Sequence, residues 1–207
     1  MRVDTGISSA RKDKEEDQDT GPILKEWTGL LIKAGIWALL IYLFIFQVSV
    51  VSMVSMQPNF YEGDRLLIDK ASYLFSPVKR FDVIVFETVD WDKVPREQND
   101  YIKRVIGLPG ETVLIRDGKV WIDGQKLDES RFRTENYNWL NNARELGSVG
   151  MKLVVPPGHY FVMGDNRGSS HDSRSEGLGF VPEGQIKGLV RLRYWPRGRW
   201  AWISRLN

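Results

Sequence analysis

The chain has 207 residues, 29 Lys and Arg against 27 Asp and Glu, and a formal net charge of +2. That length gives room for one globular domain with an appendage rather than two full domains, and the even charge argues against a whole-chain preference for nucleic acid or an acidic partner. No cysteine is present, which removes disulfides, thiol nucleophiles and thiolate metal sites together.

In chain order, the amino-terminal segment comes first. It includes "RKDKEEDQD", has few apolar side chains to bury, and reads as a solvated tail over residues 1–29. From Ala34 to Tyr61 there is no charged residue, and "AGIWALLIYLFIFQVSVVSMV" is predominantly apolar across the roughly 20 residues needed to span a bilayer. The expected element is a single transmembrane helix over residues 30–54. A cleaved signal peptide is the competing reading, but its apolar region would run to roughly 7–15 residues behind a short basic start; here a long charged segment precedes it. Arg11, Lys12, Lys14, Lys25 and Lys33 lie before the span, and Arg65 and Lys70 are the nearest basic residues after it. The positive-inside bias therefore puts the amino terminus in the cytoplasm and residues 55–207 outside it.

Beyond the anchor the pattern changes to short β-rich runs between turn residues. "DRLLIDK" (64–70), "FDVIVFE" (81–87), "YIKRVIGL" (101–108), "HYFVMGD" (159–165) and "GLVRLRYW" (188–195) each read as a strand. Asp117-Gly118 joins two alternating runs as a tight hairpin, and Asp123-Gly124 offers a second turn. The fold class expected is mainly β, an antiparallel β domain behind one amino-terminal transmembrane helix. Residues 128–150 lack periodicity and read as an insertion or long loop.

Candidate chemistry centres on Ser55 in "SMQPNF", a few residues past the apolar run. A serine hydroxyl is a poor nucleophile at neutral pH and needs a base in hydrogen-bond reach. The tetrapeptide alone does not distinguish a nucleophile from a plain interfacial serine. Of the two histidines, His159 follows Pro156-Pro157-Gly158 at a strand start, and His171 adjoins Asp172, which as a sequence neighbour would point away from it; a Ser-His-Asp triad is disfavoured. Lysine is the other base, provided that burial depresses its pKa. Lys103 lies in the apolar "DYIKRVIGL", where alternation puts it on the side of Tyr101 and Val105. It is either that base or an edge lysine with its head in water. The polar run "MGDNRGSSHDSR" (163–174) is either a hydrogen-bonded loop of carboxylates, arginines and hydroxyls or a solvated turn. With no HExxH, cysteine pair or long acidic loop, no metal or other cofactor is expected.

Taken in order behind a membrane helix, "SMQP", "GDRLLIDK", "DYIKRVIGLPGE" and "MGDNRGSSHDSR" resemble bacterial type I signal peptidase, a membrane-bound Ser-Lys endopeptidase family, over nearly everything from the anchor to about Gly188. The resemblance implies Ser55 as nucleophile and Lys103 as general base. It also implies Ser170 as the hydroxyl that orients the amine, and Asp165, Arg174 and Arg104 as a supporting polar network. It implies secretory pre-proteins as partners, cut after small A-x-A-like residues, with the bilayer as surroundings and no nucleic acid. Met56, Tyr101 and Ile102 are the expected substrate contacts, beside an extended peptide paired to strand edges near residues 51–54 and 100–103. The sequence departs from the family pattern at Met53, where a Ser or Gly often helps to form the oxyanion hole, at Asn59, and at Gly168-Ser169. Trp195, Trp200 and Trp202, interleaved with Arg193, Arg197, Arg199 and Arg205, suit either lipid contact or an ordinary closing strand; Phe60 and Phe75 are further candidates for dipping into lipid. Two alternatives are a catalytically inactive, membrane-anchored relative acting as an assembly factor, and a self-cleaving regulator. The second would need a DNA-binding module, of which the amino-terminal segment has no pattern.

Overall fold

The computed structural model describes residues 21–88, 100–132, 152–175 and 177–203. The expected tail before residue 21, and the expected loop from residue 133 onward, lie outside the described residues. Residues up to Ile41 form one compact unit and those from Tyr42 another. The first is described through helix α1 (Gly21–Ile45), which opens with Gly-Pro, a pair suited to a first turn because proline's missing N–H has no helical partner there.

The helix ends earlier than the apolar run. Phe46–Val50, "FQVSV", is strand β1, whose β-branched residues alternate and pair with a partner strand. The expected boundaries of 30–54 are therefore corrected: the helix starts at Gly21, stops at Ile45, and gives the rest of the uncharged stretch to the sheet and the turn after it. Lys25, Glu26 and Lys33 lie on α1, so its longest charge-free part is 34–45. Among the described residues no helix is long and apolar enough to cross a membrane.

The second unit is antiparallel β throughout. Strand β2 (Arg65–Asp69) leads through the one-turn helix α2 (Ser72–Phe75) to β3 (Val83–Glu87) and β4 (Asp100–Gly107). The hairpin of β5 (Thr112–Arg116) and β6 (Lys119–Ile122) turns on Asp117 and Gly118, both at positive φ, as a two-residue turn between right-twisted strands requires. Asp123-Gly124 repeats the device before β7 (Gln125–Lys126). Then come β8 (Lys152–Val154), β9 (His159–Met163), β10 (Val181–Pro182), β11 (Ile186–Trp195) and β12 (Ala201–Trp202). One sheet runs β1-β2-β11-β3-β4-β9-β10 with β12 paired to β11, and a smaller one runs β7-β6-β5-β8.

This order puts β4 in the interior of the large sheet with an unequal pair of neighbours. Strand β3 pairs with it along its length, from Glu87 opposite Asp100 to Val83 opposite Arg104. Strand β9 joins only from Arg104 onward, so among the described residues the second edge of 100–103 has no strand beside it. Apolar clusters lie on both sides. Val51, Met56, Phe60, Leu66, Ile68 and Ile102 fill one, and Val78, Ile84, Phe86, Val105, Val162 and Leu189 fill another. Two expectations fail here: Met56 and Phe60 are core residues, 0% and 1% exposed, because the turn after residue 53 folds them under the sheet. Neither side chain is on the surface of the domain.

Strands β2 and β11 approach closely at Gly188, where a Cβ would stand 2.4 Å from Ile68 Cγ2 and 2.8 Å from the Asp69 carbonyl oxygen. Gly188→Ala should cost about 1–3 kcal/mol of unfolding free energy through overpacking. Denaturant titration of the purified protein in detergent will check it; a change under about 0.5 kcal/mol would mean that the strands part without strain.

Candidate active site

Ser55 is set by a single 3-10 turn, Val54–Met56, entered from extended Met53 and left through Gln57-Pro58. Chain bonds fix this turn on both sides. Phe60 N–H donates to Met56 O (2.9 Å), and the Asn166 backbone N–H donates to Ser55 O (2.9 Å) while its side-chain amide donates to Val54 O (3.1 Å). The Ser55 hydroxyl is thereby held 4% exposed against β4.

Lys103 is fully buried on β4, and its Nζ hydrogen-bonds Ser55 Oγ at 2.7 Å and Ile102 O at 3.0 Å. Its amine lies 5.2 Å over the Tyr101 ring, so these two side chains share one side of the strand, as alternation predicts. Burial lowers the amine pKa from 10.5 to about 8; Asp172 and Asp165 pull it back upward, and Arg174 opposes them. The edge-lysine reading is excluded by that burial. A neutral amine within hydrogen-bond distance of a hydroxyl is the arrangement that can take its proton.

Two buried ion pairs stand behind the dyad. Arg104 clasps Asp165 with two hydrogen bonds, Nε to Oδ1 at 2.8 Å and Nη2 to Oδ2 at 2.7 Å, and its guanidinium lies 4.3 Å from the Phe132 ring centroid. Arg174 holds Asp172 through Nε (2.8 Å) and Nη2 (2.9 Å). Asp172 also accepts from Gly164 N–H (2.9 Å) and the Ser170 hydroxyl (2.7 Å). Burial pushes its carboxyl upward, but the bonds and charge of Arg174, with those of Gly164 and Ser170, outweigh it and keep the group below the usual carboxylate range. Asp165 and Arg174 thus belong to the same polar region, each with a different partner.

Ser170 differs from expectation in its bond. Its hydrogen goes to Asp172, while the Lys103 amine is bonded to Ser55 and to the Ile102 carbonyl. The hydroxyl is nonetheless packed into the site: a Cβ on Gly164 would lie 2.2 Å from Ser170 Oγ and 2.5 Å from Ser55 O, a spacing open only to glycine. Sequence reasoning passed over Gly164 and over Asn166, which ties the serine turn to the polar loop. It also passed over the Arg167 pairing with Glu129 and treated Asn59 only as a departure. Asn59 donates to Asp165 Oδ2 (2.8 Å) and to Phe132 O. The available signal was the polar density of 163–174, which exceeds what a solvated turn needs.

A cavity of about 300 Å³ opens at the dyad, walled by Met53, Val54, Tyr101, Ser169 and His171. A crevice beside it is lined by Val51, Ser52, Leu66, Val85, Asp100 and Ile102. Tyr101 and Ile102 therefore stand where a substrate could meet them, and Met56 does not. A larger cavity, about 490 Å³ around Lys119 and Lys126–Ser130, contains neither member of the dyad and has no bearing on this chemistry. Asp172 turns inward to Arg174, whereas His171 is exposed, so no Ser-His-Asp array forms. Among the described residues no group of three or more His, Asp or Glu could hold a metal.

The fold and the site together give an antiparallel β domain with a buried serine-lysine pair. The model of the signal peptidase family, peptidase S26, matches residues 24–195. Signal peptidase I of Bacillus caldolyticus is 40% identical over 163 residues, covering 77% of this chain and 85% of that protein. Signal peptidase I of Bacillus licheniformis is 37% identical over 181 residues, covering 84% and 89%. A crystal structure of a signal peptidase I from Enterococcus faecalis is 35% identical, with a TM-score of 0.40, over 55% of this chain and 97% of that one. The chain belongs to the signal peptidase S26 family.

Desolvation of Lys103 also makes stability depend on pH. With the folded pKa at about 8 against an ordinary 10.5, the unfolded chain binds more protons between those values, so stability rises with pH across that window by about 3 kcal/mol and is flat below it. Lys103→Met removes this dependence. In denaturant titrations the variant should gain about 3 kcal/mol on its parent as pH falls from 10.5 to 8; parallel profiles would rule out a desolvated amine.

Proposed function

We propose that this chain is a membrane-anchored serine endopeptidase that removes signal peptides from secretory pre-proteins, with Ser55 as nucleophile and Lys103 as general base. Membership of the signal peptidase family supports the activity. The observation that carries the residue roles is the 2.7 Å contact between a fully buried amine and the Ser55 hydroxyl.

Neutral Lys103 takes the Ser55 hydrogen, and the serine oxygen attacks the carbonyl at the cut site. The oxyanion that forms meets the Ser55 backbone N–H, which donates to no other acceptor among the described residues; this amide supplies an oxyanion contact that Met53 cannot. The Lys103 ammonium returns its proton to the departing amine of the mature protein, leaving the signal peptide as an acyl ester on Ser55. Lys103 then takes a proton from water, which attacks the ester; as the bond to Ser55 Oγ breaks, the Lys103 ammonium returns that proton to the serine oxygen, freeing the signal peptide as its carboxylic acid and restoring both side chains. Ser170, its own hydrogen committed to Asp172, presents only lone pairs toward its surroundings, the polarity needed to receive an N–H of a neutral lysine. Arg104, Asp165 and Arg174 keep the scaffold around the amine fixed.

A substrate in extended form fits the open edge of 100–103 on one side and 52–54 on the other, by strand addition. The residue whose carbonyl is attacked would enter the cavity at Ser55, and the one two positions earlier the crevice that includes Ile102.

The anchor in this reading is α1. Leu30, Leu31, Ile36, Trp37, Leu39 and Ile41 are all more than half exposed, which suits lipid better than water, and Lys33 can carry its charge toward a boundary along its aliphatic stem. Along the chain the helix ends shortly before Ser55, and a signal peptide's cut site lies just beyond its own apolar segment. Val48 and Val50 on β1, Trp195 on β11 and Trp202 on β12 are exposed apolar side chains that suit contact with lipid. The location is a bacterial cell membrane, with the amino terminus cytoplasmic and the β domain outside.

Lys103→Met keeps bulk and loses the base. In detergent, on a purified secretory precursor, it should lower kcat/KM by about 10²–10⁴-fold, and an activity within about tenfold of the parent would exclude this base. For the parent, kcat/KM should climb as pH rises through about 8, because the neutral amine is the active form; a profile flat from pH 6 to 10 would contradict it.

A further inference from the structure

We propose that His171 is a specificity-determining residue that limits the size of the side chain accepted just before the cut bond. The proposal rests on the reading that the cavity at Ser55 receives that side chain. His171 walls this cavity together with Met53, Val54 and Tyr101, yet it takes no part in the chemistry derived above. It is exposed, and among the described residues no hydrogen bond or ion pair involves its ring, so nothing in the packing of the domain calls for an imidazole there.

A wall sets a sharp limit only if it cannot retreat, and this one is braced. Its ring centroid stands 6.3 Å from that of Tyr101, the planes tilted by 58°. On another side Gly177 leaves only about a methyl group's room beside the ring, since a Cβ built there would already be in van der Waals contact, 3.7 Å from His171 Cε1 and 3.9 Å from Nε2. The flanking backbone is pinned as well. The Ser170 hydroxyl and the Arg174 guanidinium both close on Asp172, and Ser173 N–H donates to Val162 O (3.1 Å). Asp172 faces the buried network, so its sequence neighbour faces the opening. The ring's extent therefore fixes how far the cavity reaches from Ser55. Met53 and Val54 line the same cavity from the segment that would pair with the substrate backbone.

The test uses the full-length enzyme in detergent and two series of precursors. One varies the residue before the cut through Gly, Ala, Val and Leu, and the other varies the residue two positions earlier in the same way. His171→Ala should raise kcat/KM for the Val substrate relative to Ala by about tenfold or more, the scale of one or two methylenes in an apolar pocket. The same ratio at the earlier position should not move, since the crevice assigned to it does not include His171. His171→Phe, which keeps a flat ring and removes the ionisable nitrogens, should keep the parent's ratios. His171→Trp narrows the cavity from the other direction and should lower Ala relative to Gly. An unmoved ratio in both the Ala and Trp variants, equal loosening at both positions, or a Phe variant that behaves as the Ala variant would each overturn the proposal. A parent enzyme that does not cut after small residues, or a Ser55→Ala variant that still cuts, would instead overturn the function on which it rests.

Discussion

The arrangement turns on one amine kept out of water. A lysine in solution is a cation that no serine could deprotonate into, and only desolvation brings Lys103 down to about 8. That burial comes from the placement of Lys103 on β4, an interior strand of the large sheet, rather than on a loop. The charged groups around it are arranged as closed pairs. A lone carboxylate at this depth would restore the cation's stability. Asp165 and Asp172 are instead occupied by Arg104 and Arg174, so each presents the lysine with a dipole more than a charge, and the residual upward pull is smaller than the effect of burial.

Buried ion pairs of this kind are weak devices for raising stability, because each charge loses its hydration on folding. Their value here is geometric. Asp172 gathers Gly164, Ser170 and Arg174 around one carboxylate, Asp165 joins Arg104 to Asn59, and Asn166 reaches across to hold the serine turn. Segments distant along the chain are thereby locked to one another around Ser55 and Lys103. The same rigidity gives the loop its two faces, one turned inward to the arginines and the other presenting His171 to the cavity.

Much of the fold was legible in the sequence. The five long strands fall where β-branched and aromatic runs lie between turn residues, and both Asp-Gly hairpins occur at positive φ, since those signals are local and survive any tertiary context. The serine and lysine could be proposed because their residue types, chain positions and apolar flanks are also local features. The end of the helix departs from the hydropathy pattern for a related reason. Hydropathy reports burial without regard to the partner, and "FQVSV" buries its backbone hydrogen bonds against β2 instead of continuing the helix. Met56 and Phe60 looked like surface contacts until the turn folded them under the sheet.

What the sequence determined by itself is the set of ingredients: an apolar helix, an antiparallel β domain, and a serine, a lysine and a cluster of charged groups in a given order. What only the tertiary structure decided is which of these meet. Ser55 and Lys103 are 48 residues apart, and nothing in their spacing says that they will lie at hydrogen-bond distance, nor that Asp165 pairs with Arg104 and Asp172 with Arg174. Those choices are made by strand register and by the closeness that glycine at 164 permits, because the pKa of an amine and the partner of a carboxylate are properties of surroundings assembled from distant parts of the chain.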